Sequence, residues 1–409
     1  MKGKRKGVQA RLLQINPRAL FVPCGAHTLN LVVADGAKSS AEATSYFGYL
    51  QKLFTLFSAS TQRWSILKSH VNITLKSWSD TRWESRINSI EAVRYQAAEV
   101  RDALLEVRDK ATDGVVRMEA QSLAEEVGSY RFAICTVVWY DILTNIKHVS
   151  KMLQSVSMQL DIAVDLLRKT EVSLVSYRSN GFASAQASAK DICGQMNVEA
   201  VLKQKRLRTT KRQFSYESPE EQVSDALKKL EVSFFNMVVD VSIASLQERF
   251  KALGEVEQKF GVLLNFPDLP KEDLTKQCET LSNTLSWGGQ SDLDKRELAL
   301  EMQNFPALPK ANMTTLELLT FLQEKKMNEV YPNMWVALRI AVTIPVTVAA
   351  GERSFSKLKL IKTYLRSSMA QERLNGLALI SINREVSGQI SFDDTINEFA
   401  ARKSRRVRL

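Results

Sequence analysis

The chain has 409 residues, 44% of them hydrophobic and 25% charged, with only 16 glycines and 9 prolines. That length exceeds one compact core and fits two or three domains, and so few turn-forming residues weigh against a sheet-rich fold. A net charge of +11 favours phosphate backbones, acidic proteins or anionic lipids as partners over basic ones. No stretch approaches about 18 continuous apolar residues, so no membrane span is expected.

The basic excess gathers in residues 2–6, 203–212 and 402–408. Each stretch reads either as a solvated loop or tail or as a phosphate-contacting or nuclear-import segment. Cys24, Cys135, Cys193 and Cys278 form no CxxC pair, which points away from a disulfide scaffold or zinc ribbon and towards a reducing compartment. The basic start has no apolar run behind it, so no secretory signal is expected there.

Residues 7–20 predict a short amphipathic helix ending at Asn16-Pro17, because proline biases the residue before it away from helix. The apolar run from Ala19 to Cys24 has strand length and is the best strand candidate, with a helix directly after it carrying Leu29, Val32 and Val33. From residue 41 to 304 the spacing is overwhelmingly helical. Ile87, Ile90, Val93, Ala97, Val100, Leu104 and Val107 form one stripe over 85–110. A second runs over 133–168 through Ile142, Ile146, Val149, Leu153, Val156, Leu160, Ala163 and Leu167. Such stripes predict packed core helices. Residues 176–220 accumulate Ser, Ala, Asn and Gly before a basic run and predict a mobile surface loop. Helices resume near Gln222. Prolines near 267 and 306 mark loops, Pro345 separates 335–344 from a helix over 347–365, and helices over 370–385 and 392–401 close the chain.

Three local patterns carry chemical meaning. In Phe21-Val-Pro-Cys24-Gly-Ala-His27-Thr-Leu-Asn30, the Cys24 and His27 side chains have a zinc-ligand spacing. The remaining histidines, His70 and His148, do not extend the set, so a polar pair at a strand-to-helix junction is expected and no metal. In Trp78-Ser-Asp-Thr-Arg82-Trp83-Glu-Ser-Arg86, an aromatic beside arginines could stack on a base; a tryptophan anchoring a loop to the core fits the residues better. In the third, Ala349-Ala-Gly-Glu352-Arg353-Ser-Phe355 leads into Leu358, Ile361 and Leu365 on one helix face, and Leu374 and Leu377 on the next. Read from the residues alone, Glu352 is a solvated or arginine-paired acid.

The third pattern, through Arg366, Leu374, Leu377 and Asn383, resembles the carboxy-terminal dimerisation region of hAT (hobo–Activator–Tam3) transposases. The first resembles that family's Cys/Asp-x-x-His motif followed by Leu-Asn-Leu, and the second its Arg-Trp element. The nearest group by resemblance is the MYM-type zinc-finger and related domesticated-transposase proteins. The resemblance implies a mainly α fold: a partial RNase H-like core interrupted by a large all-helical insertion. Residues 1–40 would be the core remnant, 41–330 the insertion, 331–402 the return to the core with the dimerisation region, and 403–409 a basic tail.

The resemblance also implies a chemistry. Such enzymes hold two divalent ions on three carboxylates, and Glu352 aligns with the third. Relatives carry the first two ahead of the Gly-Val-Gln-Ala-Arg stretch, where residues 1–6 here offer no acid. The expectation is an amino-terminally truncated, catalytically inactive chain, binding Mg2+ or Mn2+ only if the missing acids are supplied. It would self-associate, or pair with related proteins, through Phe355, Leu358, Ile361, Leu365, Leu374 and Leu377. It would contact DNA through Arg82, Trp83, Lys203, Lys205, Arg206 and Arg208, in the nucleus. A fragment of an active transposase and a helical protein-interaction scaffold are the alternatives.

Overall fold

The structure, a computed structural model, describes residues 7–79, 83–155, 158–202, 225–308, 310, 313–363, 366 and 368–402, with the backbone alone at 83, 349, 350, 352 and 353. It is mainly helical. In chain order come α1 (Val8–Ile15), α2 (Gly25–Ala37), α3 (Ala41–Ser58), α4 (Thr61–His70), α5 (Trp83–Tyr95), α6 (Ala97–Lys110), α7 (Gly114–Val127), α8 (Tyr130–Leu153) and α9 (Leu160–Gln195). Several begin at side-chain caps: Ser40 accepts from the Ala43 amide, Asp113 from Val115 and Ser129 from Phe132. Each cap satisfies an N–H that a helix start otherwise leaves open. The chain divides into two compact units, Met1–Thr347 and Val348–Leu409.

The first unit is built around α8, apolar on most of its circumference and buried from Tyr130 through Val138 and Trp139 to Leu153. Against it lie α9, α5 and α2, and a long helix made of α10 (Ala226–Leu230), a π-helical turn (Glu231–Asn236) and α11 (Met237–Phe260) packs in turn on α2 and α9. The π turn lets the consecutive Phe234 and Phe235 both point inward, where Phe235 meets the rings of Tyr177 and Phe182. Gly36 is where α2 presses on α11. A β-carbon there would stand 2.7 Å from the Ser242 hydroxyl. Residues Ala226–Phe260 are long and apolar enough to cross a membrane by length and composition, although no continuous apolar run announces it. Here Val238, Val239, Leu246 and Leu253 are buried in the protein core.

The structure refines the sequence reading at several points. Residues 19–24 form neither helix nor strand and pair with no strand among the described residues; Gly25 instead donates to the Val346 carbonyl at 2.9 Å. Among the described residues the sheet consists of one hairpin, β1 (Ser286–Trp287) and β2 (Gln290–Ser291), and no RNase H-like sheet is found. The stripe over 85–110 is two helices. They break at Gln96, whose side chain accepts from the amides of Asn72 and Ile73 and donates to the Ile73 carbonyl, stitching the extended segment after α4 to the core. The stripe over 133–168 is likewise divided between α8 and α9. The loop expected over 176–220 is helical as far as Gln195, and its remainder from Lys203 lies outside the described residues. Alanine is the strongest helix former, and Ala185 and Ala189 are fully buried. The small residues serve close packing there, not a turn.

A second apolar cluster in the same unit joins the end of α11 to α12 (Val262–Asn265), α13 (Lys271–Thr284), α14 (Lys295–Gln303), α15 (Thr315–Glu324) and α16 (Pro332–Val342). Thr314 and Glu317 form a reciprocal capping box at α15. Buried Glu301 of α14 accepts from the amides of Asn333 and Met334 and from the Asn333 side chain, at 2.7–3.0 Å. It thereby caps α16, whose first residue, Pro332, has no N–H to satisfy. The second unit holds α17 (Ala349–Ile361), α18 (Gln371–Ile382), α19 (Arg384–Ser387) and α20 (Asp393–Ala401).

Candidate dimerisation surface

The second unit has helices but almost no interior. Apolar residues at steps of three and four make α17 amphipathic, α18 carries them on several sides, and the two pack as neighbours, with the Lys357 ammonium donating to the Ser381 carbonyl at 3.4 Å. Among its described residues only Leu374 is buried, at 9% exposure. Leu358, Ile361 and Leu377 are half-buried between solvent and their neighbours. Phe355, expected on the same packing face, is 73% exposed. Leu365 lies outside the described residues.

Sequence reasoning missed part of this surface. Leu360 is 77% exposed, and Leu379, Ile382 and Val386 are each open to solvent as well. The signal was present: α17 and α18 carry more apolar residues than one packing stripe can hold. Burying such side chains in both copies of a symmetric pair is worth roughly 20 kcal/mol gross, against about 4–15 kcal/mol for association. Glu352 lies in α17, and its side chain is among those not described.

The other two patterns fall in the first unit. Cys24 is the residue preceding α2, with its sulfur 3.8 Å from the Thr347 hydroxyl. His27, one turn on, faces solvent, while Asn30 is buried. The structure therefore does not bring the three together as a cluster. Trp78 donates its indole N–H to the Phe47 carbonyl at 2.7 Å, and the buried Arg86 guanidinium lies 4.5 Å from both the Phe47 and Trp78 ring centres. A cation held between two rings inside a core is a packing element. This end of the motif is the loop anchor that the residues favoured. Trp83 opens α5, with its side chain undescribed; Arg82, Lys203, Lys205, Arg206 and Arg208 lie outside the described residues.

Residues 297–386 match the hAT family C-terminal dimerisation region. That stretch runs from α14 through α19, so the capped helices of the second cluster and the exposed helices α17 and α18 both belong to it. Over 94% of its length the chain is also similar to a mouse protein, the 52 kDa repressor of the inhibitor of the protein kinase, at 21% identity. The human protein of the same description is 22% identical over 94% of the chain. The chain spans about half the length of these relatives, 52% and 51%.

Arg86 offers a direct test of its role. Arg86→Ala is expected to lower the stability of the folded chain by about 2–4 kcal/mol in urea unfolding, because it opens a cavity between two rings. Unchanged stability with weakened DNA binding would assign Arg86 to phosphate contact instead.

Proposed function

We propose that this chain is a self-associating protein derived from a hAT-type transposase, acting by assembly and DNA contact in the nucleus, without cutting DNA. The observation that carries the reading is the exposed apolar surface of α17 and α18 inside the matched dimerisation region. The curated relatives, repressors by description, support a regulatory role for such an assembly.

Absence of cleavage rests on ligand chemistry. Two divalent ions in a phosphoryl-transfer site need several hard oxygen ligands converging on one point. By resemblance Glu352 corresponds to the family's third acid, and in this reading it is a vestige; its side chain lies outside the described residues, among which no group of three His, Cys, Asp or Glu converges. Mg2+ or Mn2+ would bind only with acids supplied from elsewhere. The DNA reading rests on the net charge of +11 and the basic run over 203–212. Lys203, Lys205, Arg206 and Arg208, with Arg82 and Trp83, are the proposed contacts.

Two outcomes follow. In sedimentation velocity the full chain is expected to form dimers at tens of micromolar. The double change Leu379→Asp with Ile382→Asp should weaken that association about tenfold or more, since it places charges in a face that must desolvate. A wild-type chain that stays monomeric throughout would overturn the reading. Duplex DNA should bind with an affinity that falls steeply between about 50 and 200 mM salt as counterions are released; salt-independent binding, or none, would remove DNA from the proposal.

A further inference from the structure

The first unit holds a cavity of about 170 Å³ at the seam of its two apolar clusters. Leu160 packs against both clusters and marks the seam. The walls are the start of α9, the end of α11 with α12, the start of α15 and the end of α16. Two of these ends are tied together. The Gln159 side chain accepts from the Thr315 amide at 2.7 Å, which joins the start of α9 to the start of α15. Leu160, Phe260, Leu264, Leu316, Val342 and Ile344 supply the apolar lining. A dry cavity of roughly 150 Å³ takes a benzene-sized guest, so one ring or a short chain fits here.

Two carboxylates interrupt that lining, Asp161 and Glu257, and among the described residues no base lines the cavity. Glu257 has a counter-charge: the Arg168 guanidinium, outside the lining, donates to its Oε2 at 3.2 Å. Asp161 has none among the described residues. It is half-buried in the first turn of α9, and its Oδ1 is shut off from water without accepting a hydrogen bond. Buried acceptors are nearly always paired, because an unpaired one loses its water and regains nothing. The chemistry of an occupant follows. A metal ion needs more converging ligands than these two acids. An anion would be repelled, and a purely apolar guest would leave Asp161 as it is. A cation with an apolar body satisfies both parts of the wall.

We propose that this cavity binds a small primary ammonium ion whose apolar body has the size of one ring or a short alkyl chain. The ammonium group donates to the Asp161 carboxylate, and the body lies against Leu160, Phe260 and Ile344. Burying such a charge is costly unless it is paired, so the carboxylate also supplies the selectivity. The same chemistry is offered by a free amine and by a lysine side chain. The cavity lies wholly within the first unit, so its test stands apart from that of self-association.

Three probes of nearly one shape provide the test: benzylammonium, neutral benzyl alcohol and anionic benzoate, titrated into the full chain by calorimetry and ligand-observed NMR. Benzylammonium should bind at millimolar concentration and benzoate should not bind. Benzyl alcohol should bind about tenfold more weakly than benzylammonium, for want of a charge-assisted hydrogen bond. Asp161→Asn should weaken benzylammonium about tenfold and leave benzyl alcohol unchanged, a difference that a general loss of structure would not produce. Leu316→Trp fills the cavity from a position that is 52% exposed, where the fold tolerates a larger side chain, and should abolish binding of both. Nα-acetyl-lysine methylamide, run in parallel, separates the sources: its binding admits a protein's lysine, and its failure beside benzylammonium binding assigns the cavity to free amines. Equal affinity for benzylammonium and benzyl alcohol, or Asp161→Asn binding benzylammonium as well as wild type, would overturn the ammonium reading. A folded wild-type chain that binds none of the probes would overturn the site.

Discussion

A chain segment that forms helices without burying their apolar sides cannot account for its own stability. From Val348 onward, Leu374 is the one buried apolar residue among those described, while Phe355, Leu360, Leu379 and Ile382 remain open. Short helices in water are marginal, and their stability comes from packing one face. The second unit therefore depends on a covering surface. In the proposed function a further copy supplies one.

The first unit has no such requirement. Two apolar clusters fill it, one around α8 and one around α13, α14 and α16, and its polar interior groups have definite tasks. Glu301 caps α16, Gln96 ties an extended segment to the core, and Arg86 fills the space between two rings. Burial pushes the Cys278 thiol up to about 11 and raises those of Cys135 and Cys193, which leaves these three sulfurs as inert packing atoms. The matched family region contributes to both units, with α14 to α16 inside the second cluster and α17 onward in the exposed unit. Its first part is structural and its second part is where association is proposed.

Much of this was legible in the sequence, because apolar periodicity reports helices directly. Ile87 to Val107 and Ile142 to Leu167 all lie on helices or at their ends, as their spacing required, except Val156, outside the described residues. The breaks were not legible, since Gln96 interrupts its stripe to satisfy backbone groups of residues distant in sequence. Small residues over 176–195 misled because alanine serves close packing as readily as a turn. The apolar run at 19–24 misled because strand character needs a partner, and periodicity says nothing of partners. The residues proposed for dimerisation were named through a motif resemblance. Leu360 escaped because an amphipathic stripe is identical whether it faces a core or a second chain.

Hydrogen exchange on the full chain across a range of concentrations addresses the central claim most directly, because it reads the stability of each helix separately. If the second unit is held together by association, amide protection over Gln371–Ile382 rises with protein concentration while that over Tyr130–Leu153 stays constant. Protection of Gln371–Ile382 that is the same at the lowest and highest concentrations would contradict the account, since the helix would then be stable without a second copy.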